Sequence, residues 1–290
     1  MKKALLVSLA AVAFSSLPAI AADMPARPVH KAPPMVAAWN WSGFYAGIHG
    51  GYGWDNSDVS LVGAGGAGGG GPAALISAGI IPSSLATDPD GFIGGGQIGY
   101  NWQFSTWVFG LEADISYSDI DGSASFTGST GGGTPDPVIT TARQSLNWLA
   151  TFRARLGWTP NAQWLWYVTG GAALGKVENE ALSTCPTCGG TPLFPLSVSD
   201  TKWGYTVGGG FDYAFTNQLS VRAEYLYYDL GDDQFNVFVI QSAGGAAAAS
   251  RNITYGFENK GSILRAGLNY KFGDWGKGPV VGKGPVVSRY

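Results

Sequence analysis

"FGLEADISYS", residues 109–118, alternates without a break. Phe109, Leu111, Ala113, Ile115 and Tyr117 fall on one side of an extended chain, and Gly110, Glu112, Asp114, Ser116 and Ser118 on the other. Side chains two residues apart share a face of a β-strand, so this stretch is a strand with one apolar and one polar, charged face. Two environments accommodate such a strand. In a soluble sheet the apolar face lines a core and the charges meet water. In a barrel that spans a bilayer the apolar face meets lipid and the charges look into the lumen. Alternation alone does not choose between them.

The pattern recurs in eight segments, roughly 43–54, 92–102, 107–118, 147–158, 164–176, 203–215, 219–229 and 262–272. Each is about 11 residues long, the length of a tilted strand that crosses a bilayer core. The links alternate in length. "QFST", "TPNAQ" and "TNQ" are short, whereas about 55–91, 119–146, 177–202 and 230–261 are long and rich in Gly, Ser, Thr, Asp and Pro. Short turns at one end and long loops at the other are the pattern of an outer-membrane barrel. The aromatics agree. Trp102, Trp107, Trp158, Trp164, Trp166, Phe215 and Phe272 gather beside the short turns, and Tyr52, Trp54, Tyr117, Trp148, Trp203, Tyr205 and Tyr227 near the long loops. Two girdles one bilayer apart match the two membrane–water interfaces. The expected fold is therefore all-β, an eight-stranded antiparallel transmembrane up-and-down barrel over 41–272.

Bulk composition is consistent with this. Charged residues make up 13% of the 290, about half the usual share of a soluble domain. No mature stretch is apolar for long enough to make a membrane helix. Lys2 and Lys3 precede an apolar run from Ala4 to Phe14 and a small-x-small site at Ala19–Ala21, so 1–21 reads as a signal peptide. Residues 22–40, rich in Pro and Ala, read as a periplasmic linker, and 273–290 as a periplasmic tail.

The inward-facing charges are Glu112, Asp114, Asp212 and Glu224 against Arg153, Arg155, Arg222, Arg265 and Lys271. Buried charges need partners. Counting back from the "TNQ" turn sets Asp212 opposite Arg222. Glu112 and Arg153 each stand five residues above a lower-girdle tryptophan, Trp107 and Trp158, which sets them at one height. An eight-stranded barrel has an interior that side chains fill, so the expectation is a plugged, ion-paired lumen, with a narrow, gated, low-conductance path as the alternative. His49 faces inward among Gly47, Gly51 and Gly53. With no serine or aspartate spaced to meet it, it reads as a hydrogen-bonding lumen residue, and no catalytic or metal site is expected. The glycines around it leave room for long side chains from other strands. Cys185 and Cys188 form "CPTC", a loop disulfide in an oxidising compartment, with redox or metal readings left open. "ALISAGII" in loop one either packs over the barrel mouth or marks a contact site.

The chain resembles the small, OmpA-like outer-membrane β-barrels of alphaproteobacteria, the RopB-type or outer-membrane immunogenic proteins often labelled "porin family". The resemblance rests on "WSGFYAGIHGGYGW" at 41–54, "AADMPARP" after the signal and "GSILRAGLNYKFG" in the last strand. It implies an eight-stranded barrel that stabilises the cell envelope and presents surface loops; enzyme activity and cofactors are not expected. A low-conductance porin and a loop-based adhesin or ligand binder are the alternatives. Expected partners are outer-membrane lipid and lipopolysaccharide, the outer-membrane assembly machinery, and peptidoglycan; nucleic acid is not among them. The peptidoglycan link would run through the amine of Ala22, on a linker that reaches up to roughly 60 Å when extended. The assembly machinery reads a terminal aromatic, which is either Phe272 or, after "GDWGKGPVVGKGPVVSRY", Tyr290.

Overall fold

The computed structural model describes residues 39–55, 57–64, 72–129, 136–187, 194–241 and 249–273. The signal peptide, most of the linker with Ala22, Cys188, and the tail beyond Gly273 lie outside the described residues. The chain forms β1 (Gly43–Trp54), β2 (Asp58–Ala64), α1 (Pro72–Ser77), β3 (Ser84–Ala86), β4 (Asp90–Phe104), β5 (Trp107–Ser129), β6 (Pro137–Asn161), β7 (Trp164–Thr184), β8 (Leu196–Ala214), β9 (Leu219–Gln241) and β10 (Ala249–Lys271). Every pairing is antiparallel, and β1 pairs with β4 on one side and β10 on the other. The eight strands β1 and β4 to β10 therefore close into an up-and-down ring with no free edge in its lower part.

The exposure pattern decides between soluble sheet and barrel. Ile48 is 68% exposed, Ile115 63% and Val168 63%, while Glu112 is 2% and Arg153 0% exposed. The apolar face is outside and the charged face inside, as a lipid-facing wall requires. The tight turns leave only Ser105–Thr106, 162–163 and 215–218 between strands.

Most strands are much longer than a bilayer crossing requires. The 119–146, 177–202 and 230–261 links, read as loops, are mainly continuations of the flanking strands. The reason lies in where the polarity inverts. Along β10 the inward face runs Asn269, Arg265, then Ile263, Phe257, Tyr255 and Ile253; the outward face runs Tyr270, Leu268, Leu264, then Lys260, Glu258 and Thr254. Below the inversion the wall is built for lipid, and above it for water. β5 inverts in the same way, from outward Ile115 and Tyr117 to outward Asp119, Asp121 and Ser123. A pattern search tuned to apolar-out strands stops at that line, although the backbone pairing does not.

Above the line a second apolar core forms from Val59, Leu61, Ile81, Leu85, Phe194, Ile253, Tyr255 and Phe257. β2 continues along β10 where β1 stops, with Ser60 to Ala64 paired to Gly256 to Asn252. Leu75, Ile76 and Ile80 pack against this core, so the apolar stretch of loop one covers its own barrel mouth. β8 leaves β9 above the Tyr205–Asp229 pair, and the Lys202 ammonium donates to the Asp233 carboxylate across the opening.

Candidate functional site

The inward side chains of the membrane-level barrel fall into layers. Trp41, Val108, Leu165, Tyr167 and Ala214 form an apolar plug at the short-turn end, with Trp39 packed against it. Trp39 and Trp41 meet edge to face at 5.2 Å. Sequence reasoning left both tryptophans out of the site. Their signal is parity, since Trp39 and Trp41 continue the inward register of Tyr45 below the strand.

The next layer holds the charges. Glu112 is its hub, the one acid of the cluster in contact with all four arginines: Arg153 at 2.5 Å, Arg222 at 2.6 Å, Arg155 at 3.1 Å and Arg265 at 3.9 Å. Tyr45 donates its hydroxyl to the same carboxylate at 2.5 Å. Asp212 bonds Arg222 at 2.8 Å and Arg155 at 3.2 Å. Glu224 takes Arg265 at 2.6 Å and Arg153 at 3.0 Å. Asp114 takes Arg153 at 2.9 Å and Arg265 at 3.2 Å, and accepts from Thr151 at 2.5 Å. Local register supports the network: Glu112 pairs with Arg153 and Asp212 with Arg222. The Arg155 guanidinium also lies over the Tyr167 ring, 4.0 Å from its centroid.

Four carboxylates thus meet four guanidiniums, and the cluster is neutral. Lys271 is not part of it. Its ammonium donates to the Asn40 carbonyl and sits 5.2 Å from the Trp39 ring centroid, at the plug. The nine inward charges grouped from sequence therefore divide into eight in the lumen and one at its lower mouth.

His49 has more company than its sequence neighbours indicate. Its Nε2 is 2.7 Å from Ser116 Oγ and its Nδ1 is 2.7 Å from Gln97 Oε1. The expectation that no serine would meet His49 is incorrect. His49, Gly95 and Ser116 lie in one cross-strand row, and with no side chain on Gly95 the imidazole reaches across to Ser116. Arg265 Nη1 lies 3.3 Å from Nε2. Arginine only donates, so Nε2 accepts and Nδ1–H donates to Gln97. Gln97 in turn donates to Asn269 at 2.5 Å. Ser116 is 1% exposed, so this Ser–His pair is a link in a buried hydrogen-bond chain.

Above the charges lies a second apolar layer, including Ile93, Ile120, Leu149, Ala173, Leu226, Leu230 and Ile263. Leu226, which breaks the polar inward series in sequence, belongs here and is 1% exposed.

The inward glycines do more than leave room. A Cβ on Gly51 would lie 2.3 Å from the Leu264 carbonyl oxygen, and one on Gly53 would lie 2.3 Å from Ile120 Cδ1. At Gly51 the neighbouring backbone itself occupies the space.

The girdle residues face outward. Trp107 pairs in register with Trp158, which pairs with Trp166, and Tyr117 pairs with Trp148. Trp54, Trp102, Trp203 and Phe272 are all exposed, while Trp164 packs among Trp166, Phe211 and Tyr213. Above the membrane level, burial pushes the Tyr255 phenol up to about 12. Lys202 is held above the usual lysine range, chiefly by its hydrogen bond to Asp233. Cys185 is buried and disulfide-bonded.

A family model described as the outer membrane protein beta-barrel domain matches residues 7–272. The 31 kDa outer-membrane immunogenic protein of Brucella melitensis biotype 1 is 33% identical over 294 residues, covering 94% of this chain and 100% of the relative. The 25 kDa outer-membrane immunogenic protein of the same organism is 25% identical over 278 residues, covering 94% of this chain and 99% of the relative. Among solved structures, the outer membrane protein OprG from Pseudomonas aeruginosa aligns with a TM-score of 0.44 at 14% identity, covering 81% of this chain and 98% of that one.

Proposed function

Because the chain belongs to the outer membrane protein β-barrel family and resides in the outer membrane, we propose that its role there is structural, as a sealed, non-conducting and non-enzymatic barrel that stabilises the envelope. One observation carries the reading. A neutral cluster of four carboxylates and four guanidiniums lies between two apolar layers, with Arg153, Arg155, Arg222 and Glu224 each no more than 2% exposed. A permeating solute would have to pass both apolar layers and pull apart charges whose partners are already in place. The short turns and the Trp39–Trp41 plug face the periplasm, and the long hairpins stand outside, with lipid and lipopolysaccharide against the two girdles.

Purified protein in planar lipid bilayers tests this. The expected trace is flat, with no reproducible conductance steps across the usual voltage range. Regular open steps from the wild-type protein would overturn the sealed-lumen reading.

A further inference from the structure

The outward faces of β5 to β8 above the membrane level carry a feature that the sealed lumen does not use. Cross-strand register lines up Ser123, Arg143, Glu180 and Ser197 in one row, with Thr141 beside it. All of these side chains are exposed. Together with Asp121 they line an open groove of about 740 Å³, within the size range of ligand sites. Its floor is sheet backbone at Ala124, Ala142 and Ala181, whose side chains turn to the inner core, and the Leu182 side chain adds an apolar stretch.

The donor and acceptor inventory is specific. Arg143 turns along the wall to Asp121 at 3.2 Å, which uses one guanidinium nitrogen. Glu180 accepts from the Ser197 hydroxyl at 3.3 Å. A carboxylate has about four accepting sites and a guanidinium five N–H donors, so these two contacts use only a small part of either inventory. Short hydroxyls flanked by two carboxylates and one guanidinium suit a ligand dense in hydroxyl groups. Two acids against one base oppose a polyanion.

We propose that this groove binds a saccharide chain. Vicinal hydroxyls donate in pairs to Glu180 and Asp121, and sugar oxygens accept from Arg143, Ser123 and Thr141. Height points to where the sugar comes from. Ser123 is six residues beyond Tyr117, the last outward aromatic of β5, so the groove stands roughly 15 Å above the girdle on a tilted strand. That is above the head-group layer, level with the sugars of an outer-leaflet glycolipid and open to soluble glycans.

The test uses the full-length protein refolded in lipid nanodiscs. The probes are the lipid-free core oligosaccharide released from lipopolysaccharide by mild acid, maltoheptaose, and dextran sulfate, with binding read by calorimetry. Saturable binding of either of the first two is expected. Glu180→Gln and Ser123→Trp, both exposed and neutral for folding on a heat-shift gel, should each weaken it about tenfold or more. Binding of the core oligosaccharide alone assigns the outer-leaflet glycolipid, and equal binding of maltoheptaose assigns soluble glycans. The proposal is overturned by no saturable binding of either sugar, by binding of dextran sulfate alone, or by affinity that neither variant changes.

Discussion

Replacing Glu112 with glutamine is expected to destabilise the folded barrel by about 3–5 kcal/mol, the cost of leaving a buried charge without its partner. Glutamine keeps the shape but not the charge. Four guanidiniums would then face three carboxylates, and the cluster has no water-facing side to which the excess could turn, since apolar layers lie above and below it. Glu112 is the most sensitive position because all four arginines touch it. Denaturant unfolding in lipid vesicles, read by the gel shift between folded and heat-unfolded forms, measures the effect. Asp121→Asn serves as the comparison. It breaks an ion pair whose partners are both about half exposed, and exposed pairs contribute at most about 1 kcal/mol. Adding Arg222→Met to Glu112→Gln restores neutrality and should recover part of the loss, a coupling of about 1–3 kcal/mol in a double-mutant cycle. Equal losses for Glu112→Gln and Asp121→Asn would rule out the hub.

The second large effect is expected within a run of three glycines, Gly94-Gly95-Gly96. A Cβ on Gly95 would stand 2.0 Å from the Ile115 carbonyl oxygen and 2.7 Å from Ser116 Cα. Those are backbone atoms of β5, so relief requires the two strands to separate. Gly95→Ala should therefore cost about 3 kcal/mol or more, at or beyond the usual range for overpacking. It should also cut the His49–Ser116 hydrogen bond that spans this position. On either side the outlook reverses. A Cβ on Gly94 or Gly96 faces outward and meets nothing nearer than 3.5 and 3.6 Å. Gly94→Ala and Gly96→Ala should be neutral or slightly stabilising, because alanine restricts the unfolded chain. Refolding yields of the three single variants check this directly. Three similar yields would mean that β4 can move away from β5 at little cost.

The barrel was legible in the sequence because two periodicities coincide in it. Apolar and polar side chains alternate, and short turns alternate with long links. Where partners belong to one hairpin, residue counting was enough, as for Asp212 and Arg222 around the turn after Ala214. His49 and Ser116 were beyond such counting. Their register passes through β4, which is joined to β1 by a long link that fixes no count. The full strand lengths were hidden for another reason. Above the inversion the outward face is polar, as in a soluble sheet, so the strands there look like loops to a search for lipid-facing alternation. The groove on the outer wall was equally hidden, because its row crosses four strands and each contributes a single unremarkable residue.

The inversion also determines how deep the molecule sits. Just past the lipid-facing aromatics and aliphatics, β4, β5, β7, β9 and β10 carry a ring of outward charges, Asp90, Asp119, Lys176, Asp229 and Lys260. Sinking the barrel by one two-residue repeat, roughly 5 Å on a tilted strand, would carry that whole ring toward hydrocarbon at once. Each charge would cost from near zero at the interface to about 2–4 kcal/mol for a lysine at mid-depth. Raising the barrel by the same step would lift the lower tryptophans out of their interface. The protein therefore floats at a fixed draught, and a membrane of different thickness must adjust to the protein.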